Sequence, residues 1–430
     1  MQNLYPQVRK IEMNKSTLFL LAIITLISCK PKETSNEQSI VETYRDSLSQ
    51  ELIEIHKEGH INGFSVAIVN QHEVLYQAGI GYSNLNSKES YTENTIQNIG
   101  SVSKTFIGIA LLKAQEMGKL SLDDPINKHL PFQVYNPSYP KEEITLRHLA
   151  THTSTILDTD YYDEKSYILK DPVEVPDSIV ALSETFNPPT SNMPLISFLE
   201  KLLSEKGEWY EEQGFLKNKP GEIFEYSNVG STLAAAVLEI ATGESFNVFA
   251  TKHILKPLNM SSSGWSFDDI DISKHSTLYA RPKVELPHYS LITYPDGGLI
   301  TSISDMAKYL SELIKGYAGN GTILSNTSYN ELFKEQLTAE SFPDRDDEDA
   351  YDDEYNTGIF MGFTPKGYIG HTGGDPGIAT FMFFKPKSKT GKIIMINTSV
   401  RGSAGVKEFY DVWYTLDEYE NRMNLQKTNG

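Results

Sequence analysis

Residues 99–108 read I-G-S-V-S-K-T-F-I-G: two serines two apart, a lysine directly after the second, and glycines on both sides. The run from Phe106 to Met117 carries apolar groups at helical spacing (Phe106, Ile109, Ala110, the Lys113 stem, Met117), and Gly118 fits a C-cap. Ser101 therefore opens a helix. A hydroxyl there lies near backbone N–H groups and the positive end of the macrodipole, which favour developing negative charge. Lys104, three residues on, projects from the same face and can lie beside that hydroxyl. A lysine partly desolvated in this position has a lowered pKa and can accept the serine's proton. Ser103 shares the helix but has no lysine three residues later. Ser138-Tyr-Pro-Lys141 repeats the spacing, yet Pro137 and Pro140 rule out a continuing helix.

Outward from this stretch, strand signals fall in two groups. Phe64 to Asn70 and Glu73 to Tyr82 read as a hairpin, preceded by a helical pattern (Leu48, Leu52, Ile55). Gly367 to Thr372, Ala379 to Phe384 and Ile393 to Thr398 read as three strands, followed by a helix-like stretch, Val406 to Tyr419. Between them lie long helical patterns and loops, with no repeated βα unit and no internal repeat. The expected fold is α+β: an antiparallel sheet built from both chain ends, terminal helices on one face and a large, mainly helical insertion on the other. Asp158 to Lys217 shows little periodicity. Phe342 to Tyr355 is an acidic run without the glycine or carboxylate spacing of a calcium loop, and reads as solvated.

Two further elements carry chemistry. In P-G-E-I-F-E-Y-S-N-V-G, residues 220–230, Tyr226 and Asn228 start a helix. A tyrosine beside Lys104 can pass a proton to a leaving group, and the asparagine amide can hold lysine and substrate. Tyr82-Ser-Asn84 copies the spacing but ends a strand, where it reads as turn chemistry. In Y-I-G-H-T-G-G-D-P-G, residues 368–377, small residues at a strand edge let an extended substrate pair with the backbone and let a backbone N–H face an oxyanion. His371 would offer a polar or positive group to a substrate carboxylate. A literal K-T-G at 389–391 reads as a hairpin loop. No G-x-S-x-G elbow is present. His148 and His152, like His56 and His60, are four apart but lack further ligands, so no metal is expected.

In order, Ser101-Val-Ser-Lys104, Tyr226-Ser-Asn228 and His371-Thr-Gly373 resemble the three motifs of the penicillin-recognising serine hydrolases, in the branch of class C β-lactamases, D-alanyl-D-alanine carboxypeptidases and related esterases. The flanks I-T-L-R-H-L-A-T-H-T-S (144–154), G-E-S-F (243–246) and P-D-G-G-L-I-T-S-I-S-D-M-A (295–307) agree, so the likeness runs from about Leu48 to Trp413. The resemblance implies a cofactor-free acyl-enzyme on Ser101, with Lys104 and Tyr226 sharing the acid–base work. It implies Asn228, His371, Thr372 and Gly373 as substrate-binding residues, and the backbone N–H groups of Ser101 and Gly374 as the oxyanion hole. His371 stands where class C β-lactamases have lysine, which favours peptidase or esterase activity on a D-amino-acid peptide or small ester. The alternatives are a β-lactamase or a non-turnover binding protein for β-lactams or cell-wall peptides. Thr155 stands where the family often has glycine.

Composition sets the remaining bounds. The chain has 430 residues and a formal net charge of −19, so phosphate backbones are repelled and nucleic acid is excluded as a partner. From Met13 a lysine precedes an apolar run of about a dozen residues, shorter than the ~20 of a membrane span and suited to a signal peptide. Leu26-Ile-Ser-Cys29 resembles a lipoprotein lipobox, and Cys29 is the chain's single cysteine. The expected organisation is a signal peptide over 1–28 starting at Met13, a lipid-tethered linker over 29–40, a hydrolase domain over 41–421 and a tail over 422–430. The expected product is exported and held at the bacterial cell envelope through lipid on Cys29, acting on a small-molecule or peptide substrate. Protein partners are unknown from sequence.

Overall fold

A computed structural model describes residues 36–176, 179, 185–343, 355–356, 358–400 and 402–428. The signal segment, Cys29, most of the acidic run and the last two residues lie outside the described residues. Tyr44–Gly430 forms one compact unit, and the residues up to Thr43 a separate one.

The first described helix, α1, is Asn36–His56, so the linker expected through residue 40 is helical from Asn36. β1 (Gly63–Asn70) and β2 (Val74–Asn84) follow, joined by a turn in which the Asn70 side-chain oxygen accepts from the N–H groups of His72 (2.7 Å) and Glu73 (2.9 Å). β3 is Glu89–Ser90. The second strand group supplies β4 (Tyr355–Asn356), β5 (Gly362–Phe363), β6 (Ile369–Asp375), β7 (Ile378–Lys385) and β8 (Thr390–Ile396). Their order is β4-β5-β6-β7-β8-β1-β2-β3, all antiparallel. The two chain ends meet at β1 and β8, where Phe64 pairs with Ile396 and Asn70 with Thr390.

Side chains alternate across this sheet with the strand period of two, and both faces are covered. Phe64, Val66, Ile68, Ile394 and Ile396 meet Leu48 and Leu52 of α1 on one face. Val412, Trp413 and Leu416, from the C-terminal helix Gly405–Thr428, pack on the same face. That helix continues past the tail boundary expected at 422. Ala67, Val69, Ile393 and Met395 turn to the other face and the helical insertion. This is the expected α+β layering.

Within the insertion, Gly100–Ser103 forms a 3-10 turn that leads into α2 (Lys104–Glu116). α2 is buried from Lys104 to Leu112 because it is apolar on nearly every face, the pattern of a core helix. Phe106 stacks on Tyr309 (ring centroids 3.9 Å apart) and meets Trp265 edge-on, which fixes the helix below the turn. α3 (Asn228–Thr242) packs beside α2, capped by Ser227, whose hydroxyl accepts from Gly230 N (2.9 Å). One expectation needs correction. The segment 158–217 holds a helix, Leu195–Leu203, with Leu195, Phe198, Leu199 and Leu202 buried at helical spacing, and a strand, Tyr167–Leu169, paired with Tyr289–Leu291. The prolines at 188, 189 and 194 lie just before that helix rather than within it.

Candidate active site

The three motifs converge at the top of α2. Lys104 is wholly buried, and its Nζ lies 3.0 Å from Ser101 Oγ, 2.6 Å from Asn228 Oδ1 and 2.8 Å from the Asp296 carbonyl oxygen. The last two partners can only accept. The third position on Nζ therefore carries either an ammonium proton or an amine lone pair facing the serine, and a proton can pass along that line. Burial alone pushes Lys104 down. The charges of Tyr226, Asp296 and Asp158 outweigh it and hold the lysine above its ordinary value. The lowered pKa expected from desolvation is thus corrected: this lysine rests as an ammonium.

Tyr226 is partly exposed beside it, with Lys104 Nζ 5.1 Å from the ring centroid. His152 stacks on the tyrosine (4.5 Å, 24°) and accepts from Ser227 N through Nδ1 (3.1 Å). His371 lies on another side, its ring centroid 6.2 Å from that of Tyr226. It is wholly buried, with Nδ1 donating to the Thr372 carbonyl oxygen (2.5 Å). Burial, with Lys104 nearby, pulls His371 down to about 3 despite that hydrogen bond. Of the polar or positive group expected at His371, the surroundings favour the neutral, polar form, and both imidazoles pack against Tyr226. His152 is likewise held well below its usual value, first by burial and then by Lys104 and His371.

β6 closes the site from the sheet side. A Cβ on Gly373 would lie 2.1 Å from the Ile99 carbonyl oxygen, and one on Gly100 (φ +56°) would lie 2.8 Å from Gly374 N. Only glycine allows the Ser101 turn and the strand edge to approach this closely. Ser101 and Thr372 are partly exposed, Gly374 is exposed, and the space beside its Cα is open.

The decoys lie elsewhere. Ser138 sits in a turn with its N–H on Asn136 Oδ1 (2.8 Å), and Lys389 forms the β7–β8 turn. His148 and His152 act separately, the first accepting from Thr145 N in a capping box. Two participants escaped the sequence reading. Asp158 accepts from Asn228 Nδ2 (2.7 Å), and Asp296, buried behind Lys104, accepts from Tyr162 OH (3.0 Å) and Thr232 Oγ1 (2.7 Å). Burial raises the Asp296 carboxyl to about 6, against the opposing pull of Lys104 and its hydrogen bonds.

The family model described as Beta-lactamase matches residues 46–416. The chain belongs to the beta-lactamase family. It is 28% identical over 259 residues to Protein flp of Staphylococcus aureus (strain MW2), covering 59% of this chain and 46% of that protein. The chain thus spans about half the length of these curated relatives. Serine beta-lactamase-like protein LACTB, mitochondrial, of Mus musculus is 25% identical over 426 residues, 84% of this chain and 75% of the relative. Among solved structures, the octameric penicillin-binding protein homologue from Pyrococcus abyssi is similar with a TM-score of 0.61 at 24% identity, over 82% of this chain and 73% of that one. The penicillin binding protein from Bacillus halodurans gives 0.60 at 21% identity, over 85% and 98%. These two likenesses concern the fold.

Proposed function

We propose that this protein hydrolyses an amide or ester through an acyl-enzyme on Ser101. The observation that carries this reading is Lys104 Nζ, buried and shared between Ser101 Oγ (3.0 Å) and two obligate acceptors. With Lys104 charged, the phenolate form of Tyr226 is stabilised beside it, and that phenolate takes the Ser101 proton as Oγ attacks the carbonyl carbon. The tetrahedral oxyanion is held by the N–H groups of Ser101 and Gly374. Tyr226 then delivers the proton to the departing nitrogen or oxygen as the carbon–heteroatom bond breaks, and water releases the acyl group by the reverse steps. Asn228 orients the substrate, with Thr372 and Gly373 along the strand edge. The buried, neutral His371 supports substrates that need no cation at that position: small esters, or amides of D-amino-acid peptides.

The test is intact mass of the full-length protein after incubation with a penicillin, beside turnover of p-nitrophenyl acetate, for wild type and Ser101→Ala. Ester turnover lost in Ser101→Ala supports the hydrolase. A lasting penicillin adduct without turnover of any ester or amide would favour a binding protein instead. Unchanged hydrolysis in Ser101→Ala would sink the assignment of the nucleophile.

The lipobox-like Leu26-Ile-Ser-Cys29 supports placement at the bacterial cell envelope through a lipid on Cys29. Labelled palmitate incorporated by wild type and absent from Cys29→Ser is the expected result, and label retained by the variant would refute it.

A further inference from the structure

Asp158 lies outside all three motifs, yet it touches three consecutive residues at the start of α3. Its Oδ1 accepts from Ser227 Oγ (3.2 Å) and Val229 N (2.9 Å), and its Oδ2 from Asn228 N (3.0 Å) and Asn228 Nδ2 (2.7 Å). Part of this is helix chemistry: the first N–H groups of a helix lack internal partners and favour an anion. Capping accounts for the backbone contacts but not for the one with the Asn228 side chain, since Nδ2 is no helix-terminal N–H and Ser227 separately caps Gly230 N. One carboxylate oxygen holds both the backbone and the side-chain N–H of the same residue. That clamp decides which way round the amide sits. The NH₂ end must face the carboxylate, so Oδ1 must face Lys104 Nζ, 2.6 Å away. A flipped amide would set NH₂ against the ammonium and oxygen against the carboxylate.

We propose that Asp158 is a positioning residue that acts through Asn228, orienting its amide so that the oxygen holds the Lys104 ammonium against Ser101. The inference rests on the hydrolase reading above. Asp158 does not touch the nucleophile, and its effect is on where Lys104 stands and how firmly. Its charge also acts on Lys104 together with those of Tyr226 and Asp296, while His152 and His371 face the same group as neutral rings.

The experiment is a double-mutant cycle on the full-length protein with p-nitrophenyl acetate as probe: Asp158→Asn and Asn228→Ala, singly and together, beside Ser227→Ala. Asp158→Asn should lower kcat roughly 10- to 100-fold, the size of one lost charged hydrogen bond, with little change in KM. It should also move the basic limb of the kcat profile to lower pH. In the Asn228→Ala background the same change should cost almost nothing. Ser227→Ala removes a cap and one bond to Asp158 but keeps the clamp on Asn228, so it should lower Tm and leave kcat within about threefold. Should Asp158→Asn not fold, Asp158→Glu, which displaces the carboxylate by one methylene, enters the same cycle. Equal costs in both backgrounds, or a kcat loss in Ser227→Ala matching that of Asp158→Asn, would overturn the proposal. A wild type with neither turnover nor adduct would instead defeat the hydrolase reading, which separates the two failures.

Discussion

Lys104 and Lys392 are both wholly buried, on opposite faces of the sheet, and their surroundings drive them in opposite directions. Lys392 has the closer carboxylate, Asp417 Oδ1 at 2.8 Å, with the Trp413 carbonyl at 3.0 Å and the Trp413 ring centroid at 3.8 Å. Burial nonetheless lowers it to about 8, against the pull of Asp417 and Glu420, and the charge of Lys385, which shares Asp417 (2.9 Å), adds a little to the lowering. Lys104 touches no carboxylate. After burial, the groups acting on it most strongly are Tyr226, Asp296 and Asp158, all of one sign, and it is held above its usual value. At Lys392 burial outweighs the carboxylates, and at Lys104 the surrounding groups outweigh burial. One lysine ties the C-terminal helix to the sheet, and the other is kept charged beside the Ser101 hydroxyl.

The comparison breaks most sharply in activity. Lys104→Met should reduce kcat/KM by about 10³-fold or more, since it removes a member of a unit that acts together. Lys392→Met should leave kcat/KM within about threefold. Equal losses would mean that both lysines serve only the fold.

Next comes Asp296→Asn. Removing that charge should bring the basic limb of kcat/KM to lower pH, because Lys104 loses one of the groups that holds it up. Stability gives a second readout. Asp296 titrates near 6 in the fold against about 3.9 in an unfolded chain. Between those values the folded protein binds more protons, so this carboxyl makes wild type lose stability as pH rises from about 4 to 6. The variant should therefore gain on wild type across that window in chemical denaturation, and a constant difference would contradict the assignment.

Lys392→Met sharpens the other side. A folded value near 8, below the ~10.4 of an unfolded lysine, means that the unfolded chain holds more protons between them. Wild-type stability should rise with pH across that interval, and the rise should vanish in the variant. At pH 7 the change should stay within about 2 kcal/mol, because Asp417 keeps Lys385 and the Tyr368 hydroxyl as partners.

The smallest effect is expected at Thr155, which holds φ +71°, a region that favours glycine. Thr155→Gly relieves that strain but frees the unfolded chain and loses the Asn136 Nδ2 contact (2.9 Å), one of three that this amide makes. The net change should be within about 1 kcal/mol by thermal unfolding.

What could be read from sequence were side chains whose roles follow from short offsets. Lys104 reaches Ser101 because both lie on one turn of chain, and the strand groups announce themselves as short β-rich runs between turns at β1, β2, β6, β7 and β8. Asp158 could not be found that way, since its partners Ser227, Asn228 and Val229 lie some 70 positions later and no spacing links them. The burial of His371 depends on Tyr226 and the packed strand, and the charge on Lys104 on three groups scattered over the chain. Local context therefore gave the wrong direction for Lys104 and no information on how deeply His371 lies. The helix Leu195–Leu203 was hidden by prolines that flank it.

The pairing of β1 with β8 bears on how the chain acquires its structure. Phe64 finds Ile396 across more than 300 intervening residues, so this strand pair closes a very long loop. Such closure is slow relative to local contacts, and it comes late in synthesis. Until then the apolar edges of β1 and β2 have no neighbour on one side, a period in which aggregation competes with folding. The strand edge at Gly373 and Gly374 is made by the same late segment. A chain stopped before β8 should therefore lack not only a strand but any assembled nucleophile site, which ties catalytic competence to completion of the polypeptide.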